Sequence, residues 1–418
     1  MRYTSPGAAL TEMLLHADAL ALIRGAARSR GRFLEEEDVP LPQALGRVTS
    51  RPLASREALP PFDNSSMDGY ALASAKASSA PARLAVLGTI MAGDAPRCAV
   101  ESGGAWRIMT GAPMPAGCDA VIPVEKTREL DGGSSVEVLE PVETGDYVRG
   151  AGRDFAAGAE ICPAGTRLGS RHLLALAAVG LARVPVRRKP RVALIATGKE
   201  LAPPDAELKP GQIRDSSSTY LSAAIPQLGA DFDSFGVVAD DPREFRARLE
   251  KAMSSNYYDV VLTTGAVSMG SADYIPKIVE SMGANILFHK TAIRPGKPGL
   301  FARFDKGPLF FGLPGNPIST VVGLRFFVEP CLRELLGRPH ELPFRATLSS
   351  PVDKPEGLRC FFKARQAPDG KIEILPGQAS FQIHSLISAD CWAVLPEDGA
   401  HLKEGAKIEV FSLCETLA

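Results

Sequence analysis

Four glycine-bearing turns between residues 196 and 317 of this 418-residue chain carry polar or charged side chains at spacings suited to gripping an anion. They are Ala196-Thr-Gly-Lys-Glu200, Thr264-Gly-Ala-Val-Ser-Met-Gly-Ser-Ala-Asp273, Arg294-Pro-Gly-Lys-Pro298 and Leu313-Pro-Gly-Asn-Pro317. Glycine lets backbone N–H groups approach a phosphate closely, and a helix starting just after the turn adds partial positive charge. The spacing of Gly265 and Gly270 echoes a P-loop, but Ser271 and Ala272 stand where that motif needs Lys and Ser/Thr, so it is not a Walker A sequence. A plain strand-to-helix turn is the competing reading. Asp273 has two readings of its own, helix-dipole stabilisation or a hard oxygen ligand for magnesium beside a phosphate. Arg294 and Lys297, with Lys290 upstream, are either an oxyanion grip held stiff by prolines or a solvated basic turn. Pro317 suits the first position of a helix.

The first half has two more such segments. Pro60-Pro-Phe-Asp-Asn-Ser-Ser-Met-Asp-Gly-Tyr70 is rich in turn formers yet carries Asp63 and Asp68. Those carboxylates suit a metal or an amine, or they satisfy themselves in Asx-turns. Arg107-Ile-Met-Thr-Gly-Ala-Pro-Met-Pro-Ala-Gly117 reads as a strand ending in a rigid turn, with Thr110 at its mouth.

The elements that must position these residues follow from hydrophobic periodicity. Leu10–Ala27 has helical spacing, and residues 57–141 alternate short β-type runs with glycine and proline turns. Residues 190–336 alternate strands and helices. Strands are expected at Val192–Ala196, Phe235–Val238, Asp259–Thr264, Asn285–Phe288 and Leu309–Phe311. Helices are expected at Ser217–Leu228, Pro242–Met253, Tyr274–Met282 and Ile318–Leu336. The expected fold is a multidomain α/β protein with a central open parallel sheet flanked by helices. A mixed N-terminal domain (1–56 with 142–186) receives a β-rich insert (57–141). The α/β domain covers 187–336 and a small C-terminal β-barrel covers 337–418. In such sheets ligands bind beyond the carboxyl ends of the strands, where all four glycine turns fall.

Composition narrows the class. Lys and Arg number 47 against 48 for Asp and Glu, which argues against a general nucleic-acid binder. Seven cysteines without a C-x-x-C pair, and six scattered histidines, give no disulfide framework and no zinc signature. No apolar run approaches the length of a membrane helix, and Met1–Leu20 carries Glu12 and Asp18, unlike a secretory leader. A soluble, cytoplasmic protein is expected. The 39 glycines and 34 prolines exceed ordinary usage of about 12% combined, and the turns quoted above hold much of that excess.

Taken together and in order, Phe62-Asp-Asn-Ser-Ser-Met-Asp-Gly-Tyr-Ala71, Ile108-Met-Thr-Gly-Ala-Pro-Met-Pro115, Val267-Ser-Met-Gly-Ser-Ala-Asp273, Pro295-Gly-Lys-Pro298 and Gly312-Leu-Pro-Gly-Asn-Pro317 resemble the molybdopterin molybdotransferase family (MoeA and the E domain of gephyrin-like proteins) over nearly the whole chain. The resemblance implies insertion of molybdenum from molybdate into adenylylated molybdopterin, with magnesium, releasing AMP. It implies a homodimer whose cleft lies between the α/β domain of one subunit and the β-rich domain of the other. An upstream adenylyltransferase and downstream maturation proteins for molybdoenzymes are the implied partners. Residue by residue, it assigns catalytic roles to Asp68, Thr110, Glu200, Asp240 and Asp273, with Asp240 and Asp273 as metal ligands. Cofactor-binding roles fall to Gly265, Ser268, Gly270, Lys290, Arg294, Lys297, Pro314, Pro317, Lys363 and Ser380. Four positions depart from the family pattern. Arg294 stands for a usual lysine, Lys363 for an oxyanion-binding arginine, Lys199 for a frequent Asp, and Ala266 for a second glycine. Two other readings compete: the adenylyltransferase step, resident on a similar α/β domain, and a partner-binding scaffold.

Overall fold

The computed structural model describes residues 13–29, 34–95, 103–254, 257–267 and 274–413. Its centre is a six-stranded sheet in the order Asp231–Val238, Arg191–Thr197, Val260–Thr264, Leu309–Leu313, Leu300–Phe304, Ala284–His289. The first four strands run parallel. The last two are antiparallel to their neighbours, which corrects the expectation of a parallel sheet throughout. Leu300–Phe304 escaped the sequence reading, and it turns into Leu309–Leu313 through only the short segment 305–308. Parallel neighbours need a long crossover, so so short a link forces antiparallel pairing.

Alternating residues of the buried strands face opposite layers, as a pleat requires. Val192, Leu194, Val260, Leu262 and Phe311 pack with the helix Ser216–Gln227 and the long helical segment from Pro317 to Leu335. Ala193, Ile195, Val261 and Phe310 pack with Pro242–Met253 and Ile275–Ser281. The long segment is one helix with a π turn at Leu324–Val328. Pro330 follows immediately and cannot donate to the carbonyl four residues back. A widened turn absorbs such an interruption. Arg325 and Arg333 on this helix share Glu329, and both reach Glu341 at the start of the C-terminal segment.

The C-terminal sheet runs Ile293–Arg294, Arg359–Gln366, Cys391–Leu395, Lys407–Ser412, Phe344–Thr347. Its first strand belongs to the α/β segment: Ile293 pairs with Arg359, and Arg294 with Cys360. In the first half, Glu36–Pro40 pairs with Arg183–Arg187 and Leu53–Ala54 with Glu160–Cys162. A second six-stranded sheet, within Gly69–Val138, leaves and rejoins that unit. A separate two-stranded pair, Asn64–Ser65 with Val148–Arg149, lies where the chain enters and leaves that sheet. Among the described residues no helix is long and apolar enough to cross a membrane.

The N-terminal helix His16–Ser29 is tied to this assembly by its first residue. The His16 ring is 7% exposed and meets Phe326, Phe327 and Phe361 edge-on. Burial, helped by the nearby Arg359 charge, pushes its pKa down to about 3, against an opposing backbone hydrogen bond at Phe326. The folded chain therefore holds His16 neutral, while the unfolded chain protonates it below about pH 6.5. Between those values the unfolded state binds more protons, so stability falls as pH falls from about 6.5 towards 3. His16→Phe is expected to lose less stability than the parent over that window. Unfolding midpoints measured across it, with the carboxylates common to both chains, check this; parallel curves would refute it.

Candidate active site

Register brings the chemistry-bearing turns side by side. Ala196 pairs with Thr264 and Thr264 with Leu313, so the segments that follow emerge on one edge of the sheet. There they enclose a cleft of about 610 Å³. Its walls include Thr197, Gly198 and Glu200 from the first turn, Asp240 from the next, Thr264–Val267 from the third, and Pro314–Pro317 from the fourth. Thr197 Oγ1 donates to the Thr264 carbonyl at 2.8 Å and Gly265 N to the Leu313 carbonyl at 3.0 Å, stitching three turns together. Gly265 has φ +83°, and a Cβ there would lie 2.6 Å from the Thr197 carbonyl oxygen. Only glycine suits that position. Its neighbour Ala266 also takes a positive φ, +49°, where the missing second glycine would be unstrained. Asp240, likewise at positive φ, accepts from Lys199 N at 3.1 Å through Oδ2. Both Glu200 and Asp240 are exposed within the cleft.

A smaller cavity of about 360 Å³ adjoins the cleft and shares Pro298, Pro314, Asn316 and Phe381 with it. Arg294, Lys297 and Ser380 line it. Pairing of Arg294 with Cys360 fixes one side, and Ile318 N donating to the Ser380 carbonyl at 3.0 Å fixes the other. Neither Arg294 nor Lys297 forms an ion pair among the described residues. Two exposed, uncompensated cations in one small cavity favour an anionic ligand.

Several expected site residues lie elsewhere. Lys363 is completely buried and is absent from both cavity walls, its Nζ donating to the Gly377 and Gln382 carbonyls at 2.6 and 2.8 Å. It was expected among the oxyanion donors; in this structure its ammonium is turned to the Gly377 and Gln382 carbonyls instead. Lys290 lines neither cavity; its backbone, at φ +90°, donates to the Gly299 carbonyl at 2.9 Å. Asp68 and Thr110 are brought together, but away from both cavities. Asp68 Oδ1 accepts from Thr110 N at 2.7 Å and from Thr110 Oγ1 at 2.8 Å, and these bonds hold its carboxyl below the usual range. Asp63 takes the structural role: its Oδ1 accepts from Ala151 N at 2.8 Å. Ser268, Gly270 and Asp273 lie outside the described residues. Among the described residues no group of three or more His, Cys, Asp or Glu is placed to hold a metal ion.

The cleft also uses residues the sequence reading passed over. Arg214–Ser217 contribute the start of the helix Ser216–Gln227, capped by Asp215 accepting from Ser218 N at 2.9 Å. The run Asp215-Ser-Ser-Ser218 is a recognisable helix start. Asn316, in the turn quoted from the sequence, stands at the N-cap position of the helix that starts at Pro317, makes no side-chain capping bond, and touches both cavities. Phe381, 68% exposed, left no signal beyond being an aromatic in a polar turn.

The chain is thus a multidomain α/β protein with two adjoining polar cavities, of about 610 and 360 Å³, at the strand ends of its central sheet. Comparison with known proteins narrows that class. Residues 14–180 match the MoeA N-terminal region (domain I and II), 193–334 a probable molybdopterin binding domain, and 345–413 the MoeA C-terminal region (domain IV). The molybdopterin molybdenumtransferase of Synechococcus elongatus is 40% identical over 90% of this chain and 94% of its own. That of Bacillus subtilis is 33% identical over 91% and 90%. The crystal structure of a molybdopterin biosynthesis moeA protein from Pyrococcus horikoshii superposes with a TM-score of 0.81 at 29% identity, covering 96% of this chain and 99% of that one. The chain belongs to the molybdopterin molybdenumtransferase (MoeA) family.

Two outcomes are expected from this geometry. Thr110→Val removes one of the two bonds to Asp68 and keeps the backbone one, so the Asp68 pKa should rise towards its ordinary value without reaching it. Asp68 is ionised at neutral pH in both, and the difference appears only as pH falls through the folded pKa. Carboxyl NMR titration reads this directly; an unchanged pKa would refute it. Ala266→Gly relieves a left-handed alanine at the expense of a freer unfolded chain, for a net gain of about 1 kcal/mol. Chemical denaturation of the two chains checks it.

Proposed function

We propose that the chain inserts molybdenum into molybdopterin, taking molybdate and adenylylated molybdopterin as substrates and releasing AMP. The observation that carries this reading is the pair of contiguous cavities. One is lined by carboxylates and backbone turns, the other by two cations that form no ion pair among the described residues. Molybdate is a small tetrahedral dianion. Arg294 offers it a planar fork, Lys297 a point charge and Ser380 a hydroxyl, all on the smaller cavity's wall. The larger cleft would take the adenylate, with the helix start at Ser216–Ser217 presenting N–H groups to phosphate.

The carboxylates suit magnesium, a hard cation that takes oxygen ligands. Asp240 would hold it, joined by Asp273 as the family resemblance implies, and Glu200 lines the same cleft as Asp240. Bound there, magnesium would neutralise charge on the phosphoanhydride. The chain's own contribution is positional: Lys199 N fixes the Asp240 carboxylate, and the Thr197 and Gly265 bonds fix the turns. We further infer a homodimer in the cytoplasm. Asp68 and Thr110 stand away from both cavities of their own chain, and in a dimer they would face the partner's cleft.

Incubation of the purified full chain with adenylylated molybdopterin, molybdate and magnesium should yield AMP and molybdenum-loaded cofactor. Neither product appearing would overturn the proposal. Lys297→Met should weaken tungstate binding, used as a molybdate mimic, by about tenfold or more, the scale of one charge-assisted hydrogen bond. Calorimetry at fixed ionic strength reads it, and unchanged affinity would remove Lys297 from the donor set.

A further inference from the structure

Lys363 presents an unusual combination. It sits on the strand Arg359–Gln366, opposite Trp392 on the neighbouring strand, with no exposed surface. A buried ammonium normally pairs with a carboxylate, because taking a charge out of water is costly. Lys363 forms no ion pair among the described residues. Its Nζ instead donates to two main-chain carbonyls, those of Gly377 and Gln382. Burial accordingly lowers its pKa.

Those two carbonyls bracket the residues Gln378–Phe381 that wall the smaller cavity. The same short loop is secured by neutral bonds as well. Gln378 exchanges hydrogen bonds with the Lys363 main chain at 3.0 and 2.9 Å, and Gln382 Oε1 accepts from Ala379 N at 3.0 Å. Ser385 Oγ shares the Gly377 carbonyl at 2.9 Å. The charge is thus spent on the two ends of a loop whose middle carries Ser380 and Phe381.

We propose that Lys363 is a positioning residue: it clamps the Gly377–Gln382 loop from beneath, so that Ser380 and Phe381 close the oxyanion cavity, and it does not touch the oxyanion. The proposal rests on reading the smaller cavity as the oxyanion pocket. It gives a physical role to a lysine at a position where the family pattern carries an oxyanion-binding arginine. A buried clamp needs only a point charge with rotatable donors, whereas a ligand contact would profit from the fork.

Three measurements on the full chain test it. In the first, lysines of the wild-type protein are acylated and quantified by mass spectrometry, with and without tungstate. Lys297 should react and be protected by tungstate, while Lys363 resists in both conditions. Lys363 reacting as fast as Lys297 and gaining protection from tungstate would overturn the proposal. In the second, chymotrypsin cleavage after Phe381 should accelerate about tenfold in Lys363→Met, the size expected for loss of a charge-assisted bond, but not in Lys297→Met. Equal rates in Lys363→Met and wild type would overturn it.

The third is a double-mutant cycle on tungstate affinity. If Lys363 acts through Ser380, Lys363→Met combined with Ser380→Ala binds no worse than the weaker single variant. Fully additive losses would mean independent contacts and overturn the clamp. Wild-type protein that binds no tungstate would remove the pocket reading, yet the cleavage comparison would still decide the role of Lys363. Should Lys363→Met not fold, the acylation pattern of the wild type decides it.

Discussion

Two residues of main-chain pairing, Ile293–Arg294 laid parallel against Arg359–Cys360, hold the site together. The basic turn is also closed on itself, by Lys290 N donating to the Gly299 carbonyl and Thr291 N to the Lys297 carbonyl, and Phe361, Trp392 and Val394 of the C-terminal sheet share one apolar core with the α/β unit. With the strand pairing, Arg294 becomes the edge of the C-terminal sheet while Lys297, three residues on, remains at the strand ends of the α/β sheet. The smaller cavity exists because one turn belongs to both units. The Arg325–Glu329–Arg333 array and its reach to Glu341 secure the same junction from the opposite side of the last helix. Removing one member of such a buried group would strand the others without compensation.

The helices and most strands of the α/β unit were legible because their apolar patterns are long and bounded by glycine, proline and capping residues. Pro242–Met253 coincides with its sequence expectation to the residue. The hairpin that reverses the sheet's far edge was not legible, since Leu300–Phe304 carries Arg303 and is too short to show an alternation. The single helix expected at Ile318–Leu336 is continuous, but its π turn has no periodic signature; Pro330 was the available clue.

The site was legible in part. Spacing placed Glu200, Gly265, Arg294 and Lys297 at strand ends, the family resemblance added Asp240, and the sheet's register gathers them. The resemblance did not separate Lys363 from them. A sequence carries the charge of a lysine but not the direction of its stem, and burial of an ammonium against bare carbonyls has no local pattern. Phe381 was missed for a related reason. Its role comes from lying between two cavities built by distant segments.

That shared wall has a thermodynamic consequence. Pro298 and Pro314 are conformationally stiff, so Phe381 is the part of the partition best able to yield. A ligand that displaced it from one side would change the volume offered on the other, and any linkage between the two occupancies would be reciprocal. Whatever factor the nucleotide-sized ligand imposes on the affinity of the small anion, the anion must impose in return, regardless of which arrives first.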